Sequence, residues 1–178
     1  MAQVEIVQLM LWELERGYQL LESSLNQISK KEAQWKPSSN ARTLDTIRSW
    51  NMYGDDFLKS KQFDPLSTIE FKILHLAQCK LMYDEYAFRE GALRWKDLEC
   101  PEWPNCKDYL KDSQTKLVES LQSLTDPDLN TLVPTNWGEK WLIKQIIAVM
   151  THHDAYHLGQ ICMMKNLHHL IENPSRKV

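Results

Sequence analysis

The sequence predicts an all-α protein, most simply a four-helix bundle with one extra helix. Three observations carry that prediction. Apolar residues at the start of the chain recur at alternating steps of four and three, the spacing of one helical seam. Only five Gly occur in 178 residues, too few for a sheet built on tight turns. No segment combines strand length with alternation, apart from the short run "NTLVP". A chain of this length is expected to form a single domain, residues 1–178.

The first helix is read from the seam Val7, Leu11, Leu14, Tyr18, Leu21, Leu25 and Ile28, which ends before the breaker "KPSSN". A second helix is expected over 41–60, with Leu44, Ile47, Trp50 and Leu58 as core residues and Gly54 as its weak point. "FDPLSTIE" then offers a Ser67-x-x-Glu70 capping box. The helix it opens is expected to run from Thr68 to about Glu90, with Phe71, Leu74, Met82 and Tyr86 near one face and Gly91 close to its end. A loop rich in Pro and Trp, "RWKDLECPEWPN", leads to a helix from about Cys106 to Leu124. After the irregular "TDPDLNTLVPTNWGEKW", the last helix is expected to begin near Glu139 and to stop before Pro174.

Composition removes several functions. The net charge is −3 and the charges are mixed along the chain, so no basic stripe exists for a phosphate backbone and nucleic acid is not an expected partner. Glu5, Glu13, Glu15 and Arg16 interrupt the N-terminal segment too often for a signal peptide or membrane span, and a cytoplasmic protein is expected. Cys79 and Cys162 fall in apolar helical stretches, where a thiol behaves as a small hydrophobe. Cys100 and Cys106 flank a Pro-rich loop and are expected to stay reduced.

The chemistry lies in "THHDAYHLGQ", residues 151–160. His153 and His157 are four apart, the helical spacing that lets two imidazoles share an ion. Both fall on the apolar stripe of Ile146, Val149, Met150, Ile161 and Met164, and two buried rings need partners. Gln160 keeps a polar group on that face. His75 is the natural third ligand, because antiparallel packing of its helix on the last one brings it to the pair. His152 points elsewhere around the helix, Asp154 is off the histidine face, and His168 and His169 lie too far along it. Three neutral imidazoles and one divalent ion, Zn²⁺ or Ni²⁺, resolve three desolvation problems together. Cys79, Tyr86 and Gln160 are the candidate pocket-lining residues. Trp95 and Trp103 are placed to roof the site, and Glu139 to cap the last helix.

The segment 136–161 resembles the DinB/YfiT-like superfamily of four-helix metal-binding proteins. Trp137-Gly138-Glu139, then His153 and His157 followed by Gly159-Gln160-Ile161, match the family's pattern. The family's remaining ligand is a His seven residues after a Ser or Thr that opens the second bundle helix. Thr68 and His75 satisfy this, and 41–60 then becomes an insertion between the first two bundle helices. The "QWKPSS" lead-in allows a second register, in which Trp50 takes the ligand position. The resemblance implies a metal-dependent enzyme acting on a small-molecule substrate. It is either an S-transferase using a low-molecular-weight thiol such as bacillithiol, mycothiol or glutathione, or a hydrolase; a non-catalytic ligand-binding bundle is the alternative. It also implies a homodimer.

Overall fold

The computed structural model describes residues 5–49 and 66–173. These form the helices α1 (Ile6–Ser24), α2 (Lys30–Ala33), α3 (Leu44–Ser49), α4 (Ile69–Phe88), α5 (Asn105–Gln122) and α6 (Ile143–Glu172). A hairpin of β1 (Leu132–Pro134) and β2 (Lys140–Leu142) precedes α6. The bundle is made of α1, α4, α5 and α6, with α2 and α3 inserted between its first two helices. Of the helix expected over 41–60, residues 44–49 form α3; Trp50, Gly54 and Leu58 lie outside the described residues.

Contacts at the helix ends fix the directions. Val7, Leu11 and Leu14 cluster with Ile143, Ile146 and Met150, while at the other end Lys165 Nζ donates to the Ser24 carbonyl at 2.6 Å, so α1 and α6 run parallel. On α4 and α5, Glu70 meets Trp103 and Asp84 accepts from Ser120, so these two also run parallel. Lys72 meets Gln160 and Lys80 meets Asp154, which makes α4 and α6 antiparallel. The order is up-down-down-up, and the chain must return along α4 before starting α5. Polar side chains of α4 pin that return. Glu85 accepts from the Ala92 amide, Tyr86 Oη from Arg94, Gln78 donates to the Glu99 carbonyl, and Glu70 accepts from the Trp103 amide.

Several boundaries differ from the sequence reading, each for a local reason. The α1 seam continues through Leu25 and Ile28, both buried, but the helix stops at Ser24 because Gln27 takes a left-handed φ of 65°. Asp126 caps α1 from across the chain, accepting from the Ile6 and Val7 amides at 3.1 and 2.9 Å. Thr68, not Ser67, caps α4, its Oγ1 accepting from the Phe71 amide at 3.1 Å. Ser67 is spent in a parallel bridge to Arg42, one residue before the Thr68 cap. Glu70 is thereby left to hold Trp103 and Gln34.

At the other end, α6 begins at Ile143 rather than near Glu139. Thr135 and Glu139 close a turn in which Gly138 takes φ 88°, and residues 140–142 become β2, paired with the expected strand run at 132–134. Glu139 therefore caps no helix. Its Oε2 accepts from the indoles of Trp137 and Trp141 at 3.0 and 2.8 Å. Trp103 is buried in the core beneath α5 and roofs nothing. No helix among the described residues is long and apolar enough to cross a membrane.

Candidate metal centre

The α4–α6 interface sets out a ladder of polar rungs. Lys72 Nζ donates to Gln160 Oε1 at 2.8 Å, His75 Nε2 lies 3.1 Å from His153 Nε2, and Lys80 Nζ meets Asp154 Oδ2 at 2.6 Å. His157 Nε2 completes the middle rung, 3.0 Å from His153 Nε2. The ligand nitrogens of His75, His153 and His157 all lie within 4.8 Å of one another. Among the described residues no Cys, Asp or Glu joins that group.

Hydrogen bonding fixes the tautomer of His157. An ammonium only donates, so the Gln160 atom facing Lys72 is its oxygen. His157 Nδ1 lies 2.8 Å from the same oxygen and must be its N–H donor. The Nε2 atom of His157 therefore carries the lone pair and turns it toward His153. Such outer hydrogen bonds orient imidazole ligands in metal sites generally. Gln160 thus contacts His157 through its oxygen.

The donor set fits a divalent cation. A tetrahedral ion with N–metal bonds of about 2.0–2.1 Å holds its nitrogens about 3.3 Å apart, within a few tenths of the two distances from His153 to His75 and His157. In the metal-free protein one N–H from His153 can serve only one neighbour at a time, whereas a cation satisfies all three rings. The rings cross at 86°, 80° and 67°, so none stacks face to face on another.

Burial holds His75 and His153 neutral. It pushes His153 down to about 3, helped by His157 and Lys80. Burial, then His153 and His157, take His75 well below the ordinary imidazole value. Neutral imidazole is the ligand form. The sign of the effect on stability follows. The unfolded chain protonates near 6.5 and the folded one far lower, so the unfolded state binds more protons in between. Metal-free protein is expected to lose about 1.4 kcal/mol per pH unit below ~6.5 from His153 alone. Urea unfolding midpoints between about pH 6.5 and 4.5 measure this; a flat profile contradicts it.

Cys79 packs one turn beyond His75, its sulfur 3.8 Å from both ring nitrogens. Burial pushes its thiol up to about 12, and that of Cys106 likewise, so both remain protonated and inert. Cys162, placed in an apolar stretch by the sequence, is exposed on α6. Iodoacetamide at about pH 8 is expected to label Cys162 in the folded protein and to reach Cys79 and Cys106 only in denaturant, as read by peptide mass spectrometry. Fast labelling of Cys79 in the native state contradicts this packing.

Tyr86 is not brought to the histidines. It stands eleven residues, about 16 Å of helix rise, from His75, where its hydroxyl accepts from Arg94 and its ring covers Gly91. Lys72 and Lys80 are the neighbours that sequence reading missed, and Asp154, read as off the histidine face, is the buried partner of Lys80. The signal for the two lysines was a helix, α4, buried on nearly every side yet carrying charged residues, which then need partners inside. His152 is exposed, as expected, and His168 rests edge-on against Trp35, far from the site. A cleft of about 360 Å³ at the α3–α4 corner is lined by Arg48, Glu70 and Glu102 but by none of the three histidines.

No curated protein matches the sequence. Among solved structures, a conserved protein from Enterococcus faecalis has a similar fold, with a TM-score of 0.61 over 93% of this chain and 98% of that one, at 14% identity. The model of the DinB superfamily matches residues 13–161, which include the cluster of His75, His153 and His157. The chain belongs to the DinB superfamily.

Proposed function

We propose that the protein is a metal-dependent enzyme in which His75, His153 and His157 hold one divalent cation, Zn²⁺ or Ni²⁺, and that it transfers a low-molecular-weight thiol to a small-molecule electrophile. The convergence of three imidazole nitrogens, all within 4.8 Å of one another and with His153 Nε2 3.1 and 3.0 Å from those of His75 and His157, is the observation that carries this reading. When bound, an ion with three neutral ligands supplies a Lewis acid that stabilises thiolate or hydroxide near neutral pH. The chain's own residues prepare that site. Gln160, held by Lys72, keeps the proton of His157 on Nδ1 and its lone pair inward. Burial keeps His75 and His153 unprotonated.

Among the described residues no carboxylate joins the cluster, which favours transfer over hydrolysis. A hydrolase gains from a general base beside the attacking water. Asp154, adjacent to His153 in sequence, has its carboxylate committed to Lys80. A thiol with an ordinary pKa near ~8.5 needs no such base. The test is to titrate cobalt-substituted protein with bacillithiol, mycothiol and glutathione, then to add an alkylating electrophile. The expected result is a new sulfur–cobalt absorption band with one of them and enzyme-dependent loss of free thiol. An unchanged spectrum, with ester hydrolysis that needs no thiol, assigns the site to hydrolysis instead.

A further inference from the structure

We propose that the buried Lys80–Asp154 ion pair is a register pin: it fixes the axial alignment of α6 on α4 so that His75 meets His153 and His157. The pair links the two helices that carry the histidines, five residues beyond His75 on one side and between the two histidines on the other. Its side chains are 2% and 1% exposed, and its N–O distance is 2.6 Å. Among the described residues Asp154 Oδ1 has no hydrogen-bond partner, and Lys80 is the cation that answers this carboxylate. Beyond the histidines the same interface carries the Lys72–Gln160 contact and an apolar cluster that includes Ile73, Leu76 and Ala77 on α4 and Ile161 and Met164 on α6.

Apolar contacts are non-directional and survive sliding. A slip of one helical turn, about 5.4 Å, exchanges one set of apolar contacts for another at modest loss. The same slip strands an ammonium and a carboxylate in the interior without counter-charges, which no buried site tolerates. One alignment therefore satisfies the pair, and it is the alignment in which three imidazole nitrogens converge. Buried polar pairs that select a register are the best-attested use of such pairs. Lys80 and Asp154 are positioning residues, acting on the site through the helices that hold it.

The consequence for metal affinity rests on the three-histidine reading above, whereas the consequence for alignment does not. Two double variants of the full chain separate them: K80M/D154L, which removes both charges, and K80E/D154K, which restores the pair reversed. Imidazole ¹H–¹⁵N spectra of the metal-free proteins report alignment, and Zn²⁺ titration reports the site. The expected result is that K80M/D154L folds but shows more than one set of resonances for His75, His153 and His157, and binds Zn²⁺ roughly tenfold or more weakly. K80E/D154K is expected to recover one set and most of the affinity. A folded K80M/D154L with a single set and undiminished affinity overturns the proposal. So does its failure to fold, since the pair then supports the whole fold rather than the register. If no form, wild type included, takes up Zn²⁺, the metal reading falls while the spectra still decide the register.

Discussion

His157→Ala is expected to lower the affinity for Zn²⁺ or Ni²⁺ by more than the roughly 10–100-fold that loss of an outer hydrogen-bond partner costs. His157 is the buried member of the three, and its lone pair is the one whose direction is fixed, by the Nδ1 bond to Gln160. The variant also loses metal-linked stability, worth about 2.7 kcal/mol at an ion concentration 100 times Kd. Thermal melts with and without added Zn²⁺ measure this: the wild type gains and the variant does not. Gln160→Ala is expected to fall between them, because it frees the ring without removing the ligand. Equal metal-dependent gains in wild type and His157→Ala contradict the assignment.

Asp154→Ala carries the second large effect and requires no metal. It leaves the Lys80 ammonium buried without its counter-charge, which typically costs about 3–5 kcal/mol. Denaturant unfolding of the metal-free protein is the measurement. The pair between Lys31 and Glu172 provides the control, for its N–O distance is also 2.6 Å while its side chains are 71% and 44% exposed. Water and salt screen an exposed pair, so Glu172→Ala is expected to leave the unfolding midpoint in place. Two contacts of one length thus separate by burial alone. Comparable effects from the two variants contradict the interior placement of Lys80 and Asp154.

Much of the architecture was legible because periodicity reports burial directly. The Val7–Leu21 seam is buried as read, and the antiparallel meeting of His75 with His153 and His157 followed from two helices and one face. What failed has physical causes. Asp154 was read as off the histidine face, and it stays out of the cluster, but its burial was not foreseen. The helix α6 packs on both α1 and α4, and a helix with two neighbours buries a wider arc, which takes in Asp154 beside His157. The cap of α4 fell one residue late because Ser67 is engaged in a bridge with Arg42, a long-range pairing that no local pattern announces. β2 was hidden for a similar reason: "KWL" is a strand only because residues 132–134 lie alongside it. Tyr86 shares a helix with His75, but the return of the chain after α4 claims its hydroxyl. The role of Trp50 in the alternative register lies outside the described residues.

The metal content of tag-free protein, measured by elemental analysis after gel filtration, tests the central claim most directly. About one Zn²⁺ or Ni²⁺ per chain is expected in the wild type, and its loss in His157→Ala. Wild-type protein that is purified from metal-replete cells without an ion, and that takes up none from added Zn²⁺, Ni²⁺ or Co²⁺, contradicts it.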